Sequence, residues 1–445
     1  MKRFYLLMAF IMLTISIKAQ TTALSSNSTN DYIPSAENLK AREAFANDKL
    51  GIFIHWGLYS MFAQGEWYMQ NRAIPHEEYS KAARAFYPIH FNADDWVDAI
   101  KDSGAGYICL TSRHHEGFSL WDTKESDYNI MNTPFKRDII KELADACHKQ
   151  NVRLHLYYSH LDWGREDYPM GRTGHGCKDS TKADWPHYYK FMNNQLTELL
   201  TNYGSIGAIW FDGWWDHDQD SIPFDWQLPQ QYALIHRLQP ACLIGNNHHM
   251  EINPGEDIQI FERDLPGENT AGFVDRAANV STSAPLETCQ TMNGMWGYRI
   301  VDQNYKSVKE LIHLLVKTSG KGANLLLNIG PQPSGELPAT ALDRLKGMGA
   351  WMREFGETIK GTTAGDIKEQ NWGATTRKGN TLYVHILNRN SIEGNTLPLP
   401  LRQKAKSVKE YKGAKLKFKN TKDGVQITLG TKRDDIIDYI IEIEQ

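Results

Sequence analysis

The side chains best suited to chemistry in this sequence follow short apolar runs. The run 206–211 ends in Asp212, followed by Gly213, Trp214 and Trp215. The run 51–54 ends in His55 and Trp56, and 107–111 leads into Ser112, Arg113, His114, His115 and Glu116. A third run closes with Tyr157, Tyr158, Ser159 and His160, and another with Glu262, Arg263 and Asp264. A carboxylate at the end of a buried strand is costly unless it is paired or used, although Asp also serves as an ordinary helix N-cap. The aromatic surround of Asp212 favours a nucleophile facing a sugar, since flat apolar rings beside polar groups suit sugar faces. One histidine at a strand end is unremarkable. Five polar ends on a common rim are hard to explain as packing.

Such a rim requires a particular scaffold. Short β-rich runs at 51–55, 107–111, 153–158, 206–212, 242–246, 257–262 and 324–330 alternate with helical stretches such as 93–103, 138–150, 184–203 and 307–319. Continuous apolar strands indicate a parallel sheet buried on both faces, and the repeated strand–helix units predict an α/β fold, a (β/α)8 TIM-like barrel. The segment 287–292 is the best candidate for the seventh strand. Reactive groups then belong at the C-terminal strand ends. After residue 361 the texture changes to short strand-like segments at 381–387, 415–418, 425–429 and 436–443 between turns, which predicts a C-terminal antiparallel β-sandwich. The expected organisation is a signal peptide at 1–19, an N-terminal leader at 20–44, the barrel at 45–360 and the sandwich at 361–445.

Composition narrows the classes. With 445 residues, 41% hydrophobic and 23% charged, the chain is ordinary globular protein, not a disordered or fibrous one. A net charge of −4 makes no electrostatic case for nucleic acid. Aromatics reach 11%, with 13 Trp and 20 Tyr, which fits sugar binding and also fits a large core. Lys2 and Arg3 precede an apolar stretch at 4–17 with Ala19 before Gln20, the pattern of a signal peptide. That stretch falls short of the ~20 residues needed to span a bilayer, so export to the periplasm or medium is expected, with no membrane span. The five cysteines, Cys109, Cys147, Cys177, Cys242 and Cys289, form no CxxC pair, and none is expected to be catalytic.

His114 and His115 raise a second reading, a metal-dependent hydrolase. Adjacent residues of a regular strand face opposite ways, however, so the pair cannot chelate one ion in that geometry. His248 and His249 lie in an Asn-rich stretch without an evident carboxylate partner. A third reading is a lectin-like binder with a dead site.

The chain resembles the α-L-fucosidases of glycoside hydrolase family 29 from about Ala44 to the C-terminus. The resemblance is carried by Gly51 to Gly57, Glu66-Trp67-Tyr68, His114 to Phe118, Tyr157-Tyr158-Ser159, Ile209 to Gly213, Glu287-Thr288-Cys289, Trp296-Gly297-Tyr298 and Asn324 to Pro331. It implies a retaining exo-glycosidase acting on terminal α-L-fucose of oligosaccharides or glycoconjugates, with no metal or organic cofactor. By position Asp212 matches the nucleophile. His55, Glu66, Trp67, His114 and His115 match positions that hold fucose, with Tyr157, Tyr158, Trp210, Arg263 and Trp296 completing the pocket. Glu287 matches the acid/base best, and Glu262 and Glu268 are alternatives because the stretch 264–286 is long. Phe62, Phe118 and Trp296 are candidates for an apolar wall facing the sugar methyl.

Overall fold

The computed structural model describes residues 32–432 and 435–445; the segment read as a signal peptide lies outside them. Eight strands form one parallel sheet: β1 (Leu50–Ile54), β2 (Tyr107–Arg113), β3 (Arg153–Ser159), β4 (Ala208–Asp212), β5 (Leu243–Asn246), β6 (Gln259–Glu262), β7 (Leu286–Thr291) and β8 (Asn324–Ile329). Their order is β5-β4-β3-β2-β1-β8-β7-β6. The ring closes between β5 and β6 through a single parallel bridge, Gly245 to Ile258. There the Asp257 carboxylate accepts from Ile244 N at 2.8 Å, standing in for a ladder bond.

Alternation along each strand sorts its side chains into two cores. Phe53, Tyr107, Cys109, Tyr157, Trp210, Ile260, Cys289 and Leu326 point into the barrel. Ile52, Ile54, Leu110, Leu156, Phe211, Ile244 and Leu327 point outward into a second core shared with the helices. Those helices include Ala93–Asp102, Ile139–Gln150, Trp185–Asn202, Leu228–Leu238, Val308–Gly320 and Ala339–Phe355. The connections β5–β6 and β6–β7 carry no helix, so two of the seven crossovers are irregular loops. That explains why the seventh strand is weakly marked in sequence: no helical period precedes it.

The span 20–44, read from sequence as leader, needs correction. From Ala36 to Asp48 the chain is a helix capped by Ser35 Oγ, and its Phe45 packs on Tyr107 and His155, plugging the N-terminal end of the barrel.

The C-terminal part is a sandwich of a five-stranded and a three-stranded antiparallel sheet, ordered β13-β16-β11-β10-β9 and β12-β15-β14. The strands are β9 (Thr363–Ala364), β10 (Gly373–Lys378), β11 (Thr381–Ile386), β12 (Thr396–Leu399), β13 (Ser407–Glu410), β14 (Phe418–Thr421), β15 (Gly424–Thr428) and β16 (Tyr439–Glu444). Sequence patterning misses β9, β10, β12 and β13; β10 has no large apolar residue, and β12 holds Pro398. Proline is tolerated in β12 because it is an edge strand. The sandwich has its own core around Leu382, Val384, Ile427 and Ile441. It docks on the barrel helices Val308–Gly320 and Ala339–Phe355 through contacts such as His313 Nε2 to Ile437 O at 2.8 Å and Phe355 to Tyr411. Among the described helices none is long and apolar enough to cross a membrane.

Candidate active site

The C-terminal strand ends surround a cavity of about 240 Å³. Of the residues expected there, His55, Trp67, His114, His115, Tyr157, Trp210, Asp212 and Trp296 line it. Phe53, Arg172, Trp215, Asp218, Asn247, His249, Glu262, Phe273 and Cys289 complete the wall. None of these residues comes from the C-terminal sandwich.

Asp212 ends β4, and Gly213 turns the chain at φ 95°, a left-handed conformation where a Cβ would meet Leu161 N at 2.9 Å. The turn lets the next residues fold back over the carboxylate. Asp212 Oδ1 accepts from Gly213 N at 2.8 Å, Trp215 Nε1 at 2.9 Å and Asn247 Nδ2 at 3.4 Å. Oδ2 accepts from Tyr157 Oη at 2.9 Å, and His115 Nε2 lies 3.5 Å away. Oδ1 is thus saturated with donors, while Oδ2 retains room for a further partner. Asp212 is 9% exposed, so it reaches the cavity without being freely hydrated.

The histidines are uncharged, and their tautomers follow from their neighbours. Burial drives His55 down to about 3. Asn328 Nδ2 donates to Trp296 O at 2.7 Å, which turns its Oδ1 toward His55 Nδ1, also at 2.7 Å. The proton therefore sits on Nδ1, and Nε2 is a hydrogen-bond acceptor. Ser159 Oγ donates to Leu161 O at 2.6 Å, so it accepts from His115 Nδ1 at 2.7 Å. Burial also lowers His114 and His115, against the pull of Asp212 on His115.

The expectation that His114 and His115 face opposite ways fails. The strand ends at Arg113 after a register shift between Thr111 and Arg113, and both rings reach the cavity with centroids 4.2 Å apart. Tyr157 and Tyr158, which do lie within a strand, obey the alternation. Tyr157 faces inward, while Tyr158 points out to Gln195 Oε1 at 2.8 Å and does not line the cavity.

Glu66 and Arg263 stand behind the wall instead of on it. Glu66 Oε2 accepts from Gly297 N at 2.7 Å, and the Arg263 guanidinium lies 5.0 Å from the Trp296 ring centroid. Together they brace Trp296. Phe62 packs on Tyr68 and Tyr79, and Phe118 on Phe86 and Tyr128, so neither forms the apolar wall. Phe53, Trp210 and Cys289 do so beside Trp296.

Glu287, the best sequence match for the acid/base, is also displaced. It is fully buried near the start of β7, inside the barrel and off the cavity wall. Its carboxylate accepts from Tyr107 Oη at 2.6 Å and Trp210 Nε1 at 2.8 Å. Glu268 lies outside the cavity, 3.7 Å from Lys321. Glu262, at the end of β6, does line it. Its Oε2 accepts from Asn247 Nδ2 at 2.8 Å, and burial followed by the charge of Asp212 pushes its pKa up to about 7.

His248 has a carboxylate partner after all, Glu256 at 2.9 Å. Among the described residues no group of three or more His, Cys, Asp or Glu side chains is arranged to hold a metal ion.

Comparison with known proteins agrees with this arrangement. The sequence model described as Alpha-L-fucosidase matches residues 19–357. The chain belongs to the alpha-L-fucosidase family. It is 30% identical to the human plasma alpha-L-fucosidase over 366 residues, covering 75% of this chain and 73% of that one. The structure of alpha-L-fucosidase isoenzyme 1 from Paenibacillus thiaminolyticus superposes with a TM-score of 0.80 at 33% identity, covering 92% of this chain and 99% of that one. A family 29 enzyme from Bacteroides thetaiotaomicron, trapped as a covalent intermediate with 2-fluoro-fucosyl fluoride in a Glu-to-Gln variant, superposes with a TM-score of 0.77 at 25% identity, covering 91% and 96%. The protein is therefore a glycoside hydrolase of the alpha-L-fucosidase type.

Proposed function

We propose that this enzyme removes terminal α-L-fucose from oligosaccharides or glycoconjugates, with retention of configuration, by double displacement at Asp212. The observation that carries this reading is the pairing of Asp212 with Glu262 on the wall of one cavity. Both carboxylates touch Asn247 Nδ2, so Oδ1 of one and Oε2 of the other lie no farther apart than those two contacts allow, about 6 Å. Retaining glycosidases place their acids about 5–5.5 Å apart, whereas inverting ones leave about 6.5–9.5 Å for a water.

Asp212 Oδ2 attacks the anomeric carbon as Glu262, protonated, donates to the leaving oxygen. Glycosylation neutralises Asp212 and removes the charge that raises Glu262, which then takes a proton from the incoming water. The neutral rings of His55, His114 and His115 accept from or donate to hydroxyls. Phe53, Trp210 and Trp296 offer an apolar surface to the methyl that replaces a hydroxymethyl group in fucose, a difference of roughly 1–3 kcal/mol. A cavity of about 240 Å³ closed by Phe53, Trp210 and Cys289 suits one sugar ring at a chain end, which supports exo action.

The test is trapping with 2-fluoro-fucosyl fluoride followed by peptide mass spectrometry. A fucosyl adduct on Asp212 is expected; an adduct elsewhere, or none with rapid inversion seen by NMR, refutes the assignment. Export is part of the proposal, and sequencing the N-terminus of the mature enzyme checks cleavage before Gln20.

A further inference from the structure

Resting on the fucosidase reading above, we propose that His249 and Phe273 form a stacking platform for the ring of the leaving sugar, which favours substrates whose leaving group is a pyranose over those without a ring. The inner part of the cavity is buried, with His55 at 4% and His115 at 1% exposure, whereas Phe273 on the same wall is 45% exposed. Phe273 therefore marks the mouth of the cavity. Its half-open ring leaves an apolar face at the cavity wall on which a ligand ring can stack.

Phe273 does not hang loosely there. Its ring is stacked on His249 at 4.6 Å and 21°, and its loop is tied down by the Asp264 carboxylate, which accepts from Thr270 N at 2.8 Å and Ala271 N at 3.1 Å. Asn269 Nδ2 adds a bond to Val274 O at 2.8 Å. His249 itself adopts φ 60°, the left-handed region that non-glycine residues rarely occupy. Burial pushes its pKa down to about 4, so the two stacked rings are uncharged together.

The platform also lies on the correct side for chemistry. His249 Nε2 is 3.9 Å from Glu262 Oε2, and the oxygen that Glu262 protonates is the one joining fucose to the leaving group. Arg172 and Asp218, paired at 2.7 Å, also line the cavity, and Arg172 bonds Trp215 O at 3.3 Å. A ring on Phe273 can thus present its apolar face to the phenyl group while its hydroxyls reach a donor and an acceptor.

The experiment compares kcat/KM for fucosylated disaccharides with kcat/KM for α-L-fucosyl fluoride, whose leaving group has no ring. In Phe273→Ala the disaccharide-to-fluoride ratio falls by about ten-fold, the scale of one lost stacking contact, and Phe273→Trp restores it. A ratio unchanged in Phe273→Ala overturns the platform, and so does equal loss on both substrates, which assigns Phe273 to holding the loop. Failure of the wild type to hydrolyse the fluoride overturns the fucosidase reading and the platform with it.

Discussion

Asp212 and Glu262 share one hydrogen-bond donor: Asn247 Nδ2 lies 3.4 Å from Asp212 Oδ1 and 2.8 Å from Glu262 Oε2. The shared amide fixes the separation of the two acids and couples their charges. Because burial and Asp212 raise Glu262 to about 7, the proposed acid is protonated in the free enzyme below that pH. The rate constant kcat/KM should accordingly fall as pH rises through about 7, and Glu262→Gln should remove that alkaline limb along with about 10²–10⁴-fold of activity on poor leaving groups. With an activated aryl fucoside, azide should rescue Glu262→Ala and yield the α-fucosyl azide. An alkaline limb that persists in Glu262→Gln would assign the titration to another group.

Much of this site is legible in sequence, because strand ends are marked by the apolar runs before them. His55, His114, His115, Tyr157 and Asp212 each follow such a run and converge as expected. The misplacements have different causes. Tyr158 faces away because a one-residue step along a strand turns a side chain from cavity to core, whereas Glu287 faces inward but lies too near the start of β7 to reach the rim. Asn247, His249 and Phe273 lie on the helix-free connections after β5 and β6, where no hydrophobic period exists to position them. Trp215 has a clear signal in hindsight, since a glycine after a strand-end carboxylate allows the chain to fold back.

Glu287 offers a sharp contrast with Glu262. Both are raised to about 7 by burial, but Glu287 holds Tyr107 and Trp210 inside the barrel instead of facing the cavity. Glu287→Ala should lower Tm by leaving two buried donors unpaired, about 1–3 kcal/mol each, and should not respond to azide. The native protein retains a proton that the unfolded chain releases above its ordinary carboxylate value of 4.5. Glu287 therefore favours folding below that pH and loses this contribution as pH rises to about 7. In Glu287→Gln the decline of Tm between pH 5 and 8 should be shallower than in the wild type, as calorimetry would read.

The five cysteines, Cys109, Cys147, Cys177, Cys242 and Cys289, are all buried and unpaired. Burial raises every one of these thiols above its ordinary value, with Cys177 at about 11. Thiolate, the reactive form, is therefore scarce near neutrality. Titration with a thiol reagent should count five groups in denaturant and almost none in the native enzyme at pH 7.5. Activity should be indifferent to reductant, although Cys289 lines the cavity.

Trp215 Nε1 donates to Asp212 Oδ1 at 2.9 Å and its ring stacks on Trp67 at 5.7 Å. It both orients the carboxylate and builds the wall. Trp215→Phe keeps the ring and deletes the donor, so it isolates the first role. A hydrogen bond to a charged group contributes about 1.5–3 kcal/mol, so kcat should fall by roughly 10- to 150-fold. An unchanged kcat in Trp215→Phe would mean that Trp215 acts through packing on Trp67 and not through Oδ1.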